Sequence, residues 1–282
     1  MGYASPETLP DALQTLRDSD VRIIAGCTDY FPQQGSAPPA AALLDITRLP
    51  GLRGVSRRPD GWTIGATTTW SDVINADLPP AFDGLKSAAR EVGSVQIQNT
   101  GTLVGNLCNA SPAADGVPPL LTLGATLELQ SLGAMRRVAL ADFITGVRRI
   151  DLRADEMVVA IHLPDLPGNT YSHFLKLGAR RYLVISIAMV SALVSLDHKE
   201  RIVWARVAVG SCSAVAQRLG GLEAALIGQG AAQLRAAPDL WTRHLSPLSP
   251  LGDVRGSAEF RLEAAAELCR RTVLGAMGLA HG

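Results

Sequence analysis

At 282 residues the chain can bury a full core and, as a prior, divides into two domains. Its residues are 47% hydrophobic and 18% charged, a globular composition, and 26 Lys and Arg balance 26 Asp and Glu, so no net field draws it to nucleic acid or an acidic membrane. The longest apolar stretch, YLVISIAMVSALVSL (182–196), is short for a membrane span and rich in β-branched residues, so it reads as a buried strand. The N-terminal segment lacks a basic run followed by an apolar one, so export by a signal peptide is not expected. Cys27, Cys108, Cys212 and Cys269 lie far apart with no CxxC pair, which disfavours a zinc or iron–sulfur site in this chain and suits reduced thiols in the cytoplasm.

In chain order, Leu9, Ala12, Leu13 and Leu16 share one helical face behind Ser or Asp capping candidates, which predicts a first helix. VRIIAG (21–26) and AALLDI (41–46) read as strands, the second after the Pro-rich turn APPA. GVSRRPDGWTIGA has the Pro-Asp-Gly turn of a hairpin. Two helical pieces follow, broken at Pro79 and Pro80 and ended by Gly93. A Gly- and Asn-rich stretch (99–116) precedes a short helix in GVPPLLTLGA with Pro in its first turn, and TLELQSLGAMRRVAL reads as a second hairpin. MVVAIHLP (157–164) is a strand, and DLPGNT is the best linker, which sets a boundary near 165–170. Beyond it, three strands of a meander and helices around 214–227 and 257–277 predict an α+β domain.

The sequence has no GxxxxGK[ST], GxSxG or HExxH, and GQGAAQ (228–233) lacks the third Gly and the context of a Rossmann fingerprint. The five histidines are scattered singly. Two stretches share one chemistry. In IIAGCTDY (23–30) a strand runs into Gly26, Cys27, Thr28 and Asp29, so consecutive amides in a tight turn can face an anion. In NTGTLVGN (99–106) Gly101 and Gly105 permit close backbone approach, and Thr102 and Asn106 add side-chain donors. Taken alone, each more often marks a plain turn; Asn109 and Ser111 suit loop backbone, and Asp115 suits either a helix N-cap or a ligand hydroxyl. Together the two loops can hold a diphosphate.

IIAGCTDY, TIGATTTWSDV, QNTGTLVGNLCNASPAADGVPPLLTLGATLEL, DFITGVRRIDLRADEMVVAIHLP and FLKLGARRYLVISIAMVSALV, in that order, resemble the FAD-binding medium subunit of the xanthine dehydrogenase and carbon monoxide dehydrogenase family of molybdenum hydroxylases, over essentially the whole chain. The resemblance implies an α+β fold: a vanillyl-alcohol-oxidase-type FAD-binding domain over 1–168, made of two α/β subdomains (about 1–55 and 56–168), then a small α+β C-terminal domain over 169–282 with a three-stranded sheet and helices. It implies that Ile23, Ile24, Ala25, Gly26, Cys27, Thr28 and Asp29, with Thr102, Leu103, Val104, Gly105 and Asn106, cradle the FAD diphosphate. Asp115 then binds a flavin-side hydroxyl, Ser111, Val158 and Lys176 make further contacts, and Ile185 packs beside the isoalloxazine ring.

Cys27 and Val104 stand where the family usually has Gly, and Val147 where members that reduce NAD carry an aromatic. The resemblance also implies a large partner with the molybdenum cofactor and a small partner with 2Fe-2S clusters, in a dimer of heterotrimers, with NAD or another acceptor taking the electrons. No metal ligand and no catalytic acid, base or nucleophile is expected in this chain. Two other functions share the sequence: a stand-alone FAD-dependent oxidase, and a scaffold subunit that has lost FAD.

Overall fold

The computed structural model describes residues 2–35, 37, 41–181 and 183–278, so most of the APPA turn lies outside the described residues. Three layers follow one another along the chain. The first holds β1 (Tyr3–Ala4), α1 (Leu9–Asp18), β2 (Val21–Ile24), α2 (Tyr30–Gln34) and β3 (Ala42–Asp45), with β3 between β1 and β2 in a parallel sheet. The cap of α1 is Thr8, whose hydroxyl accepts the Asp11 amide, and not the Ser or Asp the sequence offers nearby. Ala12, Leu13 and Leu16 bury against Leu44, Met157 and Val159, which fastens this small sheet to the next layer.

That second layer starts with the expected hairpin, β4 (Val55–Arg58) and β5 (Gly61–Gly65), then α3 (Trp70–Asn75) and α4 (Asp83–Glu91) separated by a 3-10 turn at Pro80–Phe82. The Gly- and Asn-rich stretch is more ordered than its composition suggests. Ser94 caps α5 (Val95–Thr100) and Thr102 caps α6 (Leu103–Asn109), so much of the expected loop is two short helices. After α7 (Val117–Leu123) come β6 (Thr126–Gln130), β7 (Met135–Ala139), α8 (Leu140–Phe143), the small β8 (Ile144–Gly146) and β9 (Arg149–Ile150) pair, and β10 (Met157–Pro164). β10 inserts between the two hairpins, giving the antiparallel order β4-β5-β10-β6-β7.

The third layer has the three expected long strands, β11 (Thr170–Leu177), β12 (Ala188–Leu196) and β13 (Ile202–Gly210), and a two-residue edge strand β14 (Gln217–Arg218) where the sequence suggested helix. Helices α9 (Gly220–Leu226), α10 (Ala231–Arg235), α11 (Leu240–Arg243) and α12 (Ala258–Ala276) complete it. β12 is almost continuously buried because both its faces are covered. Ala188, Val190, Ala192 and Val194 join the core that includes α12 residues, whereas Leu193 joins the core of the second layer and Ser191 meets Thr122 of α7 at 3.3 Å. No helix of the described residues is long and apolar enough to cross a membrane.

One ion pair sets the start of β10. Arg136 on β7 donates to both oxygens of Glu156 at 2.8 Å and to Asp151 at 2.7 Å, and the Arg153 amide adds a bond to Glu156 at 2.9 Å. The Arg136 guanidinium holds the Glu156 carboxyl below its usual range even though the residue is buried. Replacing Arg136 with Met leaves that buried carboxylate with only its Arg153 contacts among the described residues, and the variant should lose about 2–3 kcal/mol at neutral pH. Because the folded-state pKa is depressed, this stabilisation is present above the ordinary carboxylate range and lost as pH falls through the lowered value. Urea unfolding of parent and R136M should therefore diverge at pH 7 and converge in acid.

Candidate cofactor site

The three layers meet around a cavity of about 740 Å³, a size suited to a large organic cofactor. Its first wall is the β2–α2 loop. The chain leaves β2 beyond Ile24, and Cys27 takes φ +58°, the left-handed region that a residue with a Cβ occupies at a cost of about 1–2 kcal/mol. Among the described residues, no acceptor is found for the amides of Cys27, Thr28 or Asp29, whereas the Cys27 and Asp29 carbonyls are used by α2. The turn thus presents free donors with its acceptors turned away, which suits an anion. Burial pushes the Cys27 thiol above its ordinary pKa, so at neutral pH it is no thiolate nucleophile.

The second wall is the junction of α5 and α6. The Trp70 amide donates to Gly101 O at 3.2 Å and the Leu103 amide to Thr68 O at 3.0 Å, which fixes the junction on the second layer. At the start of α6 the Thr102 hydroxyl accepts the Gly105 amide, and among the described residues the Val104 amide has no acceptor. The two walls touch at Gly26. A Cβ there would lie 2.1 Å from Thr100 O and 2.8 Å from Gly101 Cα, so only glycine allows the approach.

The third wall brings the C-terminal layer in. Asp115 Oδ2 accepts Lys176 Nζ of β11 at 2.9 Å and Oδ1 accepts the Ser186 hydroxyl at 2.9 Å. Lys176 also reaches Glu91 O at 3.4 Å. Both charged side chains are buried, and burial outweighs the neighbouring ammonium in pushing the Asp115 carboxyl up. Asp115 is no helix cap, because Gly116 holds the N-cap position of α7 and no side chain caps it. The Gly116 amide instead donates to Asn106 Oδ1 at 3.2 Å, tying α6 to the start of α7.

Of the residues singled out in the sequence, Ile23, Ile24, Ala25, Gly26, Cys27, Thr28, Asp29, Thr102, Val104, Gly105, Asn106, Ser111, Asp115, Val158, Lys176 and Ile185 all line this cavity. Leu103 does not, since its side chain is fully buried in the core of the second layer. Ser111 also accepts the Ala113 amide, and Asn109 accepts from Gln33 and Arg148, so both serve their loop as well. Val147 is half exposed and lies outside the lining. Sequence inspection passed over Arg22, Tyr30, Gln33, Arg148 and Arg153 of the lining; the basic run VRRIDLR was the one visible signal among them. Among the described residues no group of three or more His, Cys, Asp or Glu is placed to hold a metal.

The residues fit a flavin dinucleotide on this evidence: unpaired amides on two touching loops, a glycine that a Cβ would overfill, and an anchored carboxylate at the far wall. The strain at Cys27 is separable from the donors. Cys27→Gly should raise stability by up to about 1 kcal/mol in chemical denaturation, since it removes a left-handed Cβ, while leaving the loop amides in place.

Comparison with known proteins covers nearly the whole chain. The family model described as the FAD binding domain in molybdopterin dehydrogenase matches residues 1–166, and that of the CO dehydrogenase flavoprotein C-terminal domain matches 173–276. The chain is 31% identical to the nicotine 6-hydroxylase medium subunit of Paenarthrobacter nicotinovorans, over 97% of this chain and 96% of that one. It is 30% identical to the xanthine dehydrogenase FAD-binding subunit of Escherichia coli O157:H7, over 99% and 97%. Among solved structures, reconstituted CO dehydrogenase from Oligotropha carboxidovorans superposes with a TM-score of 0.90 at 25% identity, covering 99% of this chain and 98% of that one. With both family domains in order along nearly its whole length, the chain belongs to the FAD-binding medium subunits of the molybdenum hydroxylases, the family of xanthine dehydrogenase and carbon monoxide dehydrogenase.

Proposed function

We propose that this chain holds the FAD through which electrons leave a molybdenum hydroxylase complex on their way to an external acceptor. The observation that carries the reading is the convergence of the β2–α2 loop, the α5–α6 junction and the Asp115–Lys176–Ser186 group on one cavity. Bound FAD supplies the redox chemistry, and the protein supplies binding, orientation and electrostatics.

The amides of Cys27, Thr28, Asp29 and Val104, with the Thr28 and Asn106 side chains, hold the diphosphate, while Ile23, Ile24 and Ala25 wall the cavity beside it. Asp115 accepts from a flavin-side hydroxyl, and Lys176 and Ser186 hold its carboxyl group in place for that purpose. Val158 and Ile185 supply apolar wall, and by the family resemblance Ile185 would pack beside the isoalloxazine ring. None of these side chains is assigned a proton transfer.

As the family resemblance implies, the electrons arrive from 2Fe-2S clusters in a small partner subunit and originate at a molybdenum cofactor in a large one, in a dimer of heterotrimers. Val147 offers no ring for stacking on nicotinamide, which favours an acceptor other than NAD. The chain divides at about residue 168, between the end of β10 and the start of β11, into an FAD-binding domain with subdomains of about 1–55 and 56–168 and a C-terminal domain. Balanced charge and widely spaced cysteines support a cytoplasmic complex.

The purified full-length chain should show a two-banded flavin spectrum with about one non-covalent FAD per polypeptide; a colourless protein that takes up no added FAD overturns the reading. Gly26→Ala, whose Cβ would sit 2.1 Å from Thr100 O, should weaken FAD binding by about tenfold or more with the far-ultraviolet circular dichroism retained.

A further inference from the structure

Arg261 lies on α12, far from the cavity in sequence, and is buried. Its Nη1 donates to Ile187 O and, at 3.1 Å, to Ser211 O, while Nη2 donates to Asp253 Oδ1 at 2.7 Å. Neither carbonyl is an arbitrary one. Ile187 directly follows Ser186, whose hydroxyl holds Asp115 Oδ1 at 2.9 Å, and ends the segment 183–187 whose first three residues line the cavity. Ser211, held in the left-handed region at φ +64°, sends its amide to Pro112 O at 3.0 Å, in the same loop as Asp115. A single guanidinium thus ties together two of the three chain segments that grip the 111–115 loop from the C-terminal layer, the third being β11 through Lys176.

We propose that Arg261 is a positioning residue for the cofactor site, setting Ser186 and Ser211 so that the Asp115 loop and the Ile185 wall take the geometry that binds FAD. The inference rests on the reading of this cavity as the FAD site. The planar fork is what the task needs, since two carbonyls and a carboxylate are engaged at once by fixed donors, a pattern a lysine ammonium reproduces only in part. The Asp253 carboxylate serves chiefly as counter-ion on the solvent side, where the Arg255 amide and the Arg261 and Arg255 guanidiniums hold its pKa down at about 2, so this counter-ion stays charged in the neutral range.

The test compares FAD binding to the deflavinated full-length chain for R261M, R261K and the parent, by fluorescence titration, with the visible circular dichroism of the bound flavin as a second readout. Leu234→Ala is the control for a destabilised C-terminal layer, because Leu234 is buried in its core and touches neither carbonyl bond. R261M should raise the FAD dissociation constant at least tenfold and alter the flavin dichroism, R261K should fall between it and the parent, and L234A should stay within about twofold of the parent. Equal FAD affinity and unchanged dichroism in R261M, or the same loss in L234A as in R261M, overturns the proposal. Should R261M fail to fold, R261K decides: parent-like affinity and dichroism overturn it, and intermediate values uphold it. A parent chain that binds no FAD instead overturns the reading of the cavity, which separates the two failures.

Discussion

The site depends on a contact between two backbones that tolerates no side chain at Gly26. Thr100 O approaches so closely that a Cβ would be placed at 2.1 Å, so the first layer and the α5–α6 junction of the second can share one cavity only with glycine at that point. The free amides at 27–29 and at 104 gain their meaning from this approach. A turn with unpaired donors facing water is ordinary; two such groups facing one cavity have the chemistry to bind a dianion.

The C-terminal layer is part of the site and not an appendage to it. It grips α7 at both ends, through Lys176 and Ser186 on Asp115 before the helix and through Arg206, whose guanidinium donates to Thr122 O at 3.0 Å near its end. The latter bond satisfies a carbonyl that the helix cannot pair internally and places a positive charge at the negative end of its dipole. Gly124, the left-handed C-cap, leaves room for that guanidinium, because a Cβ there would sit 2.6 Å from Arg206 Nη1. Arg206 in turn stacks over Trp204 at 4.7 Å.

The two substitutions that separate this chain from the usual family loops have different structural weights. Val104 occupies the first turn of α6 with a buried side chain packed in the core, where a Cβ is welcome. Cys27 holds a left-handed conformation that glycine, the residue the family resemblance leads one to expect there, adopts at less cost, and it keeps the backbone donors at the expense of local strain. Neither closes the cavity, since both residues line it.

Much of this was legible in the sequence by itself. The helical spacing of Leu9, Ala12, Leu13 and Leu16, the Pro-Asp-Gly hairpin and the long apolar strands each follow from local periodicity and turn chemistry, and the ordered motif blocks pointed to the FAD-binding family. The sequence also marked Gly26 to Asp29 and Thr102 to Asn106 as polar, glycine-bearing stretches. It did not show that residues 95–109 form two short helices, because Ser94 and Thr102 caps and packing on Trp70 override a composition that suits a loop. Nor could it pair Asp115 with Lys176 and Ser186, or bring Arg261 behind them, since these partners are separated by 61 and 71 residues or more and meet only when β11, β12 and α12 pack. Local chemistry determined which residues have the donors to bind an anion; the burial of three layers against one another decided that they face a single cavity.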